Sequence, residues 1–585
     1  MYTDEKNAQI VLALLKAHGI RSIVASPGTT NVQIVASAIQ DSDFDVYSVV
    51  DERSAGYFAL GLASENNCPV VLSCTGATAS RNYLSALTEA FYRDIPLIAL
   101  TSVYSPRDVG HLAPQVIDRS VSQNDVKRFS VQLPIVKDWS DFQYCALWVN
   151  TAIIEARRHG GGPVHINLPT VNSGTFSTRR LPRVPKIDLH EVTPLEPMWE
   201  QSLVETLKCS KVAVFIGSHR AFSESEMEAI SAFSSSFDAP ILVDHTSSYR
   251  GKGSILTALA LVSVDVRSVT WRGLRPDVLI HIGQVSGDYP LRDLLKADPP
   301  QVWRVDASGQ IKDAFGGLRR VFACDELSFF RGAAGAAGRK SDKTTSYRVA
   351  WSRRLRSLQY PAVPLSAAAV AAELAGALPH GSYLHLGILN TLRNWNFFPV
   401  DPSVRVSCNV GGFGIDGAVS TLVGAAVHDS ESCYFGVLGD LAFYYDMGGM
   451  NISHVGPNVR LVVVNNGVGM EFKLPGNIAS QFGAEAGTVL AADAPRAPIR
   501  AWAEACGFVY LRARTADELS KSIAQMVSAP CTDGPFLLEV LTTVEGENEA
   551  LAAMARANRS WSLNRTLKEA LPSRLKRPIK KVLGR

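Results

Sequence analysis

Short apolar runs alternate with helical segments along most of this 585-residue chain, and this alternation limits the possible folds more than any other feature. The runs lie at 22–25, 69–74, 95–101, 212–217, 241–244, 278–283, 434–438, 460–464 and 536–540. Apolar runs of this length are typical of strands buried on both faces of a parallel sheet. Strands separated by helical segments indicate βαβ units and a doubly wound sheet, so we predict an α/β protein.

Two polar stretches divide this pattern into three parts. Residues 179–197 carry prolines and charges, and residues 332–346 form a Gly/Ala/Ser/Lys run, so both are interpreted as linkers. The prediction is three doubly wound parallel-sheet domains and a basic tail, with the boundaries 1–180, 199–331, 360–550 and 551–585. No sequence repeat relates the three parts, so they are expected to share architecture only.

The composition is that of a folded enzyme, with 46% hydrophobic and 19% charged residues. No apolar stretch approaches the roughly 20 residues of a membrane-spanning helix. The first six residues include acids where a signal peptide is basic, so we expect a cytoplasmic protein. The nine cysteines include no C-x-x-C pair, so neither a zinc ribbon nor a disulfide framework is expected, which fits a reducing compartment.

Basic residues are concentrated in the tail. Residues 556–585 hold ten Lys/Arg and one acid, whereas the other 555 residues hold 48 bases and 54 acids. Leu563, Leu567 and Leu571 are spaced as on one helix face before Pro572. The tail is interpreted as a solvated arm, as packing on a neighbouring subunit or as contact with an anionic membrane. Nucleic acid is not expected as a partner, because no recognition fold accompanies the charge.

Two strand ends in the third part carry residues that suit a metal ion. VLGDL (437–441) ends one apolar run and VVVNN (462–466) ends the next. The acid and amide of Asp440 and Asn466 would then lie where open α/β sheets bind ligands. Their oxygens suit Mg²⁺, and Gly439 permits the close approach of a phosphate. The alternative is an Asp that caps a helix and an ordinary Asn-Asn-Gly turn.

A further carboxylate, Glu52, lies in the first part of the chain. In VVDERSAG (49–56), Glu52 follows an apolar strand and precedes a helix rich in small residues. Glu52 is either an ordinary charge at a helix start or a buried group that transfers a proton. The residues around it leave both interpretations open.

Together, Glu52 and the two strand ends resemble the thiamine-diphosphate (ThDP) enzyme family. That family has G-D-x, a spacer slightly longer than the 23 residues found here at 442–464, and N-N. The resemblance covers 1–545 and is nearest to the menaquinone-pathway synthases, which join 2-oxoglutarate to isochorismate. The similar segments are SPGTTN (26–31), VVDERSAGYFALGLA (49–63), CTGATASRNYLSALTEA (74–90), PDVLIHIGQVSGDYPLR (276–292) and NVGGFGIDGAVSTLVG (409–424). The third of these has Gly-Ala at 76–77 where the family has Ser-Gly.

The resemblance implies an enzyme that uses ThDP and Mg²⁺ to decarboxylate a 2-oxo acid and transfer the acyl-anion equivalent to an acceptor. By similarity, Glu52 bonds N1′ of the aminopyrimidine, the Phe413 carbonyl accepts from the same ring, and Ile415 holds the cofactor bent. An ordinary core isoleucine is the alternative for Ile415. The implied contacts are Glu52, Phe413, Ile415, Gly439, Asp440, Leu441 and Asn466 for ThDP, and Asp440, Asn466 and the Val468 carbonyl for Mg²⁺.

The implied substrate contacts depart from those of the menaquinone-pathway synthases. Those enzymes have arginines where this chain has Thr30 and Val410, and neither residue can replace a guanidinium. Arg393 matches a family arginine, and Gln115 matches a family active-site glutamine. Thr29 is also implied as a substrate contact. We therefore expect a less anionic donor or acceptor than in those synthases. A surface or linker-facing cation is the alternative for Arg393.

Other functions stay open at this point. They are a non-ligating decarboxylase, a carboligase acting on a sugar or another acceptor, and an inactive ThDP-fold partner, the last disfavoured by the joint presence of Glu52, Asp440 and Asn466. None of the twelve His are adjacent, unlike in pyruvate-type decarboxylases, and no G-x-G-x-x-G supports a dinucleotide site. His219 and His281 are expected to be structural. In the family, the Glu of one chain meets the diphosphate site of another, so a homodimer or a dimer of dimers is expected.

Overall fold

The computed structural model describes residues 1–104, 106–119, 121–190, 199–337 and 346–559. Three six-stranded sheets follow one another along the chain, and all their strand pairs are parallel. This confirms the predicted fold class of three doubly wound parallel sheets. Residues 560–585 of the predicted basic tail lie outside the described residues, and so do 191–198 and 338–345 in the predicted linkers. Within the described part of the chain, no helix has both the length and the apolar character to cross a membrane.

The first sheet has the strand order β2-β1-β3-β4-β6-β5. Its strands are β1 (Ser22–Ala25), β2 (Asp45–Ser48), β3 (Val70–Thr75), β4 (Leu97–Val103), β5 (Phe129–Gln132) and β6 (Val164–Pro169). Its helices are α1 (Lys6–Ala17), α2 (Val32–Ala38), α3 (Glu52–Asn66), α4 (Thr78–Asn82), α5 (Leu84–Arg93) and α6 (Trp139–Arg157). Strands β3 and β4 are almost fully buried because both of their faces are covered. The edge strand β2 has no buried residue and ends at Ser48, so the apolar pair 49–50 lies beyond it.

The second sheet has the strand order β12-β11-β10-β7-β8-β9. Its strands are β7 (Val212–Ile216), β8 (Ile241–Val243), β9 (Ser254–Leu256), β10 (Val278–Ile282), β11 (Gln301–Val305) and β12 (Leu318–Phe322). Its helices are α7 (Gln201–Cys209), α8 (Glu224–Phe237), α9 (Ala258–Leu261), α10 (Val269–Leu274), α11 (Tyr289–Ala297), α12 (Glu326–Ala336) and α13 (Tyr347–Arg356). The linker predicted at 332–346 is wrong at its start, because α12 continues to Ala336 and buries Phe330 and Ala333. His281 is buried and stacks on Phe215.

The third sheet has the strand order β14-β13-β15-β16-β18-β17. Its strands are β13 (Tyr383–Leu386), β14 (Arg405–Cys408), β15 (Tyr434–Gly439), β16 (Val459–Asn465), β17 (Val509–Ala513) and β18 (Phe536–Leu541). Its helices are α14 (Ala367–Ala375), α15 (Asn390–Trp395), α16 (Ala418–Ala426), α17 (Asp440–Asp446), α18 (Met470–Lys473), α19 (Ala484–Ala491), α20 (Ile499–Ala505), α21 (Ala516–Ser528) and α22 (Val544–Ala557). Gly439 of β15 pairs with Val464 of β16, so the two predicted strand ends lie side by side.

Helices α3 and α16 form a close contact between the first and third sheets. A Cβ on Gly61 would lie 2.0 Å from the Thr421 carbonyl oxygen, and a Cβ on Gly424 would lie 1.9 Å from the Phe58 carbonyl oxygen. Only glycine permits so close an approach of two helix backbones. The contact bears on the site because α3 begins at Glu52 and α16 follows the loop that carries the predicted cofactor residues.

One disulfide joins Cys433, directly before β15, to Cys531 in the segment before β18. The sequence predicts no disulfide framework, so this one bond departs from that expectation. The two cysteines are 98 residues apart, and local cysteine spacing carries no information about such a pairing.

Candidate active site

A cavity of about 380 Å³ opens at the carboxyl ends of the strands of the third sheet. Its walls come from the segments that follow β13, β14, β15 and β16. The chain leaves β13 for β14 on one side and returns to β15 on the other, so the cavity lies at a topological switch point. The structure brings together here every cofactor and metal residue predicted in the third part, namely Phe413, Ile415, Gly439, Asp440, Leu441, Asn466 and Val468.

Asp440 places a buried carboxylate at the end of β15. It is the first residue of α17 and is 2% exposed. Burial raises the pKa of its carboxyl group to about 6. Nη1 of Arg496 lies 3.0 Å from its Oδ2 and also donates to the Gly467 carbonyl at 3.2 Å. The carboxylate therefore has one cationic partner, which the sequence did not indicate.

The two asparagines that follow one another at the end of β16 have different partners. Asn465 donates to Glu539 Oε1 on β18 at 2.6 Å, and its own Oδ1 accepts from the Gly467 N–H at 3.1 Å. Asn466 lines the cavity, and its Oδ1 accepts from the Val468 N–H at 3.2 Å. Gly467 has a φ of +78°, which favours glycine. Both side-chain oxygens thus accept from N–H groups of the turn, and of the two asparagines Asn466 lines the cavity.

A buried glutamate holds the loop between β14 and α16. Glu89 of α5 accepts from the Gly411 N–H at 2.9 Å and from the Gly412 N–H at 2.6 Å. Burial raises the pKa of its carboxyl group. The same loop carries Phe413, with a φ of +55°, and Ile415, which packs against two apolar cores. No local sequence signal identifies this role of Glu89, because the Gly411 and Gly412 N–H groups are more than 320 residues away.

Arg393 already has a carboxylate partner within the chain. Its Nη1 and Nη2 donate to Glu471 Oε2 and Oε1 at 2.9 and 3.0 Å. With 18% of its side chain exposed, Arg393 is not a surface cation. Glu471 lines the cavity, whereas Val410 is fully buried in the core and does not reach it. Of the two substrate residues predicted in the third part, Arg393 is therefore a cation already paired with a carboxylate, and Val410 is a core residue.

Glu52 lies outside this cavity. It begins α3 and is half-buried, and Asn82 Nδ2 donates to its Oε2 at 3.4 Å. The next residue, Arg53, donates to the Tyr445 carbonyl at 2.8 Å. That contact is near the end of α17 that lies farther from Asp440.

The remaining predicted substrate residues also belong to the first sheet. Thr30 is 1% exposed, and its Oγ1 donates to the Ser102 carbonyl at 2.9 Å. Thr29 and Gln115 are exposed, and Gln115 has a φ of +62°. None of the three lines the cavity of the third sheet. A single chain thus holds the predicted residues in two separate groups.

The donors available for a metal ion in the cavity are oxygen atoms. Among the described residues, no three His, Cys, Asp or Glu side chains cluster as metal ligands. A cation at Asp440 would therefore be held by one carboxylate together with amide and carbonyl oxygens. His385, which sequence reasoning missed, also lines the cavity, and burial lowers its pKa to about 3, so it is neutral.

Comparison with known proteins assigns the chain to a family. A family described as "Thiamine pyrophosphate enzyme, N-terminal TPP binding domain" matches residues 5–123. A protein of Phocaeicola vulgatus named 2-succinyl-5-enolpyruvyl-6-hydroxy-3-cyclohexene-1-carboxylate synthase is 32% identical over 561 residues, which cover 94% of this chain and 98% of that protein. The protein of the same name from Bacteroides thetaiotaomicron is 31% identical over 547 residues, covering 93% and 97%.

The chain belongs to the family of thiamine-diphosphate-dependent enzymes. Its similarity over nearly the whole length is to the synthases just named, which confirms both parts of the resemblance stated from the sequence. The predicted cofactor ThDP and the predicted class, a 2-oxo acid decarboxylase and carboligase, are confirmed at the level of the family.

Proposed function

We propose that this protein holds ThDP and Mg²⁺ in the cavity of the third sheet, decarboxylates a 2-oxo acid and passes the acyl-anion equivalent to an acceptor. The bound cofactor supplies the electron sink that decarboxylation needs. The observation that carries the proposal is the presence of Asp440 and Asn466 on the wall of one cavity at the switch point of the sheet.

The residues around Asp440 fit a magnesium diphosphate. The Asp440 carboxylate, the Asn466 amide and the Val468 carbonyl supply the oxygen ligands that Mg²⁺ prefers beside phosphate and water. A Cβ on Gly439 would meet no atom within 4 Å, which leaves open space next to the carboxylate. We expect Mg²⁺ to compete with Arg496 for the Asp440 carboxylate.

Each residue of the proposed site has a separate task. Ile415, which packs against two apolar cores, would contact the bound cofactor, and this packing would supply the proximity of the reacting groups. The Phe413 carbonyl would accept a hydrogen bond from the aminopyrimidine, and Glu52 would hold the proton at N1′ of that ring. Apolar wall residues such as Ile388 and Met470 exclude water, which favours transfer to an acceptor over protonation.

A second copy of the chain completes the site in this proposal. Within one chain, Glu52 does not line the cavity that Asp440 lines. Large apolar side chains are exposed close to Glu52, with Val50 77% and Tyr445 52% exposed. Such side chains are suited to an interface with another protein surface. We therefore propose a homodimer or a dimer of dimers, in which Glu52 of one copy faces the cavity of the other.

The proposed substrates carry less negative charge than those of the menaquinone-pathway synthases. Val410 is buried, and Thr30 directs its hydroxyl to a backbone carbonyl, so neither residue supplies a cation. The remaining candidates for substrate contact are Thr29, Gln115 and the paired Arg393. A 2-oxo acid and a weakly charged or neutral electrophile fit this set.

The test is CO₂ release from a panel of 2-oxo acids with ThDP and Mg²⁺, with and without aldehyde acceptors. Glu52→Gln is expected to lower kcat by about 10²–10⁴-fold, because it removes the group that shares the N1′ proton but keeps the side-chain shape. Asp51→Asn is the matched control at the neighbouring residue, whose side chain caps α3. Because Asn caps helices about as well as Asp, this variant should retain activity within about twofold.

Two results would count against the proposed function. Unchanged turnover in Glu52→Gln would remove Glu52 from the mechanism. CO₂ release that does not depend on added ThDP, in protein freed of cofactor beforehand, would contradict the proposed chemistry as a whole.

A further inference from the structure

The ion pair between Arg393 and Glu471 meets the cavity through Glu471, which lines it, whereas Arg393 does not. Two parallel hydrogen bonds of 2.9 and 3.0 Å join the two Nη atoms to the two carboxylate oxygens. The side chains are only 18% and 26% exposed. This paired geometry is the strong form of an ion pair, so it holds the Glu471 side chain in place in the wall.

Elements from two sheets hold this pair in place. Arg393 lies on α15 and Glu471 on α18 of the third sheet, and Tyr289 comes from α11 of the second. The Arg393 Cζ lies 4.7 Å from the centroid of the Tyr289 ring. That ring also meets Phe413 edge to face, with the centroids 6.4 Å apart. The Tyr289 ring therefore covers one face of the guanidinium, and Glu471 binds its two Nη atoms.

Glu471 cancels the charge that Arg393 would otherwise present to a ligand. A ligand carboxylate would need the two Nη donors that Glu471 already occupies, and it would meet a second negative charge at short range. A hydroxyl group meets no such repulsion, since it can donate to the lone pairs that remain on the Glu471 carboxylate. The pair therefore suits an uncharged, hydrogen-bonding group.

The other residues of the cavity wall also disfavour a negatively charged ligand group. Among the described residues that line the cavity there is no Lys or Arg, while Asp440 and Glu471 are both acids. His385 does not supply a positive charge either, because burial holds its pKa at about 3. A substrate with a carboxylate at its far end would find no free cation on this wall.

We propose that Glu471 is a specificity-determining residue. By occupying Arg393 from within the chain, it excludes 2-oxo acids that end in a second carboxylate and selects donors whose far end is uncharged and carries a hydroxyl group. This inference rests on the proposed function, since it requires the donor to react in this cavity. It extends that function by assigning the selection to one side chain of the wall.

The test compares 2-oxoglutarate with 5-hydroxy-2-oxopentanoate, which have the same chain length and differ only at the far end. The wild type should have the higher kcat/KM for the hydroxy acid. In Glu471→Gln, which keeps the side-chain size and frees the Arg393 charge, the ratio of kcat/KM for 2-oxoglutarate to that for the hydroxy acid should rise by about tenfold or more. The dissociation constant of 2-oxoglutarate, measured by calorimetry, should fall in parallel.

Two further variants make the comparison specific. Glu504→Gln breaks an exposed pair with Arg500, 2.8 Å apart and outside the cavity, and should leave the ratio unchanged. Arg393→Met combined with Glu471→Gln removes both charges, and the gain of Glu471→Gln for 2-oxoglutarate should disappear. Thermal unfolding of each variant checks that it is folded.

The outcomes separate this inference from the proposed function, because ThDP binding is measured first by calorimetry with Mg²⁺. If the wild type binds ThDP and releases CO₂ but prefers 2-oxoglutarate, or if Glu471→Gln leaves the ratio unchanged, the role of Glu471 is refuted and the proposed function stands. If the folded wild type binds no ThDP, the proposed function fails, and the role of Glu471 fails with it.

Discussion

Two buried carboxylates, Glu89 and Asp446, hold backbone segments beside the cavity without lining it. Glu89 accepts from two N–H groups of the loop before α16. Asp446, at the end of α17, accepts from the N–H and the hydroxyl of Ser420 at 2.7 and 2.8 Å. Burial raises the pKa of both carboxyl groups. Single residues of this kind position the site from outside it.

Asp446 gives the protein a measurable pH dependence of stability. Burial raises its pKa to about 7 from the ordinary value of 3.8. The folded state thus binds this proton more tightly, so the group's contribution is full below pH 3.8 and is lost as the pH rises through about 7. The free energy of unfolding of the wild type minus that of Asp446→Asn should therefore fall from about pH 5 to about pH 7 and then level off, as measured by urea denaturation.

Asp429 is the matched control for this pH dependence. A hydrogen bond of 2.6 Å from the Ser432 hydroxyl lowers the pKa of its carboxyl group, which stays ionised across the same range. The corresponding difference for Asp429→Asn should therefore be flat from about pH 5 to about pH 8. A flat difference for Asp446→Asn would contradict the raised pKa.

At the scale of elements, apolar runs predict most central strands but miss β6, β11 and β13, and they miss edge strands such as β5 and β17. The prediction at 22–25 matches β1, and that at 460–464 differs from β16 by one residue at each end. Both are apolar because both of their faces are covered. Strands β5 and β17 were not predicted, because each has a single buried residue and a mixed sequence. An apolar run indicates a buried strand, but the buried strands β6, β11 and β13 include His, Asn or Arg and give no such run.

The candidate site, too, can be predicted from the sequence only in part. The sequence predicts that Asp440 and Asn466 lie together, because the carboxyl ends of neighbouring parallel strands share one edge of a sheet. It does not predict that Glu471 binds Arg393, 78 residues away, or that Cys433 bonds Cys531. Such pairs depend on how separate helices and loops pack, which leaves no periodic signal.

The contact between α3 and α16 makes a prediction at this scale. Gly61→Ala places a Cβ 2.0 Å from a backbone carbonyl oxygen, so the helices must separate. We expect a loss of about 1–3 kcal/mol in the free energy of unfolding, as for other overpacked sites. Gly335→Ala on α12 is the control, since its Cβ would meet no atom within 4 Å. It should be neutral or stabilise by up to about 1 kcal/mol, because Ala favours helix over Gly.

The free energies of unfolding of both glycine variants are measured by urea denaturation. Equal effects of Gly61→Ala and Gly335→Ala would show that the α3–α16 contact is looser than the structure has it. A selective loss at Gly61, accompanied by weaker ThDP binding, would support a role for the contact in placing Glu52 and the loop of Ile415.

At the scale of the whole molecule, each sheet contributes differently to the proposed chemistry. The third sheet holds the cavity, and the second supplies Tyr289 behind the paired Arg393. The first supplies Glu52, which one chain keeps apart from that cavity. The central claim is therefore that Glu52 of one copy acts on a cofactor held at Asp440 and Asn466 of another.

Two heterodimers, isolated through different tags on the two chains, test that claim most directly by their CO₂ release with ThDP and Mg²⁺. A Glu52→Gln chain paired with an Asp440→Ala chain should regain about half of the wild-type activity, because one of its two shared sites keeps both groups intact. A wild-type chain paired with a chain that carries both substitutions should be inactive, because each shared site then lacks one group. The reverse result, with the first heterodimer inactive and the second half-active, would place both groups in a single chain and contradict the shared site.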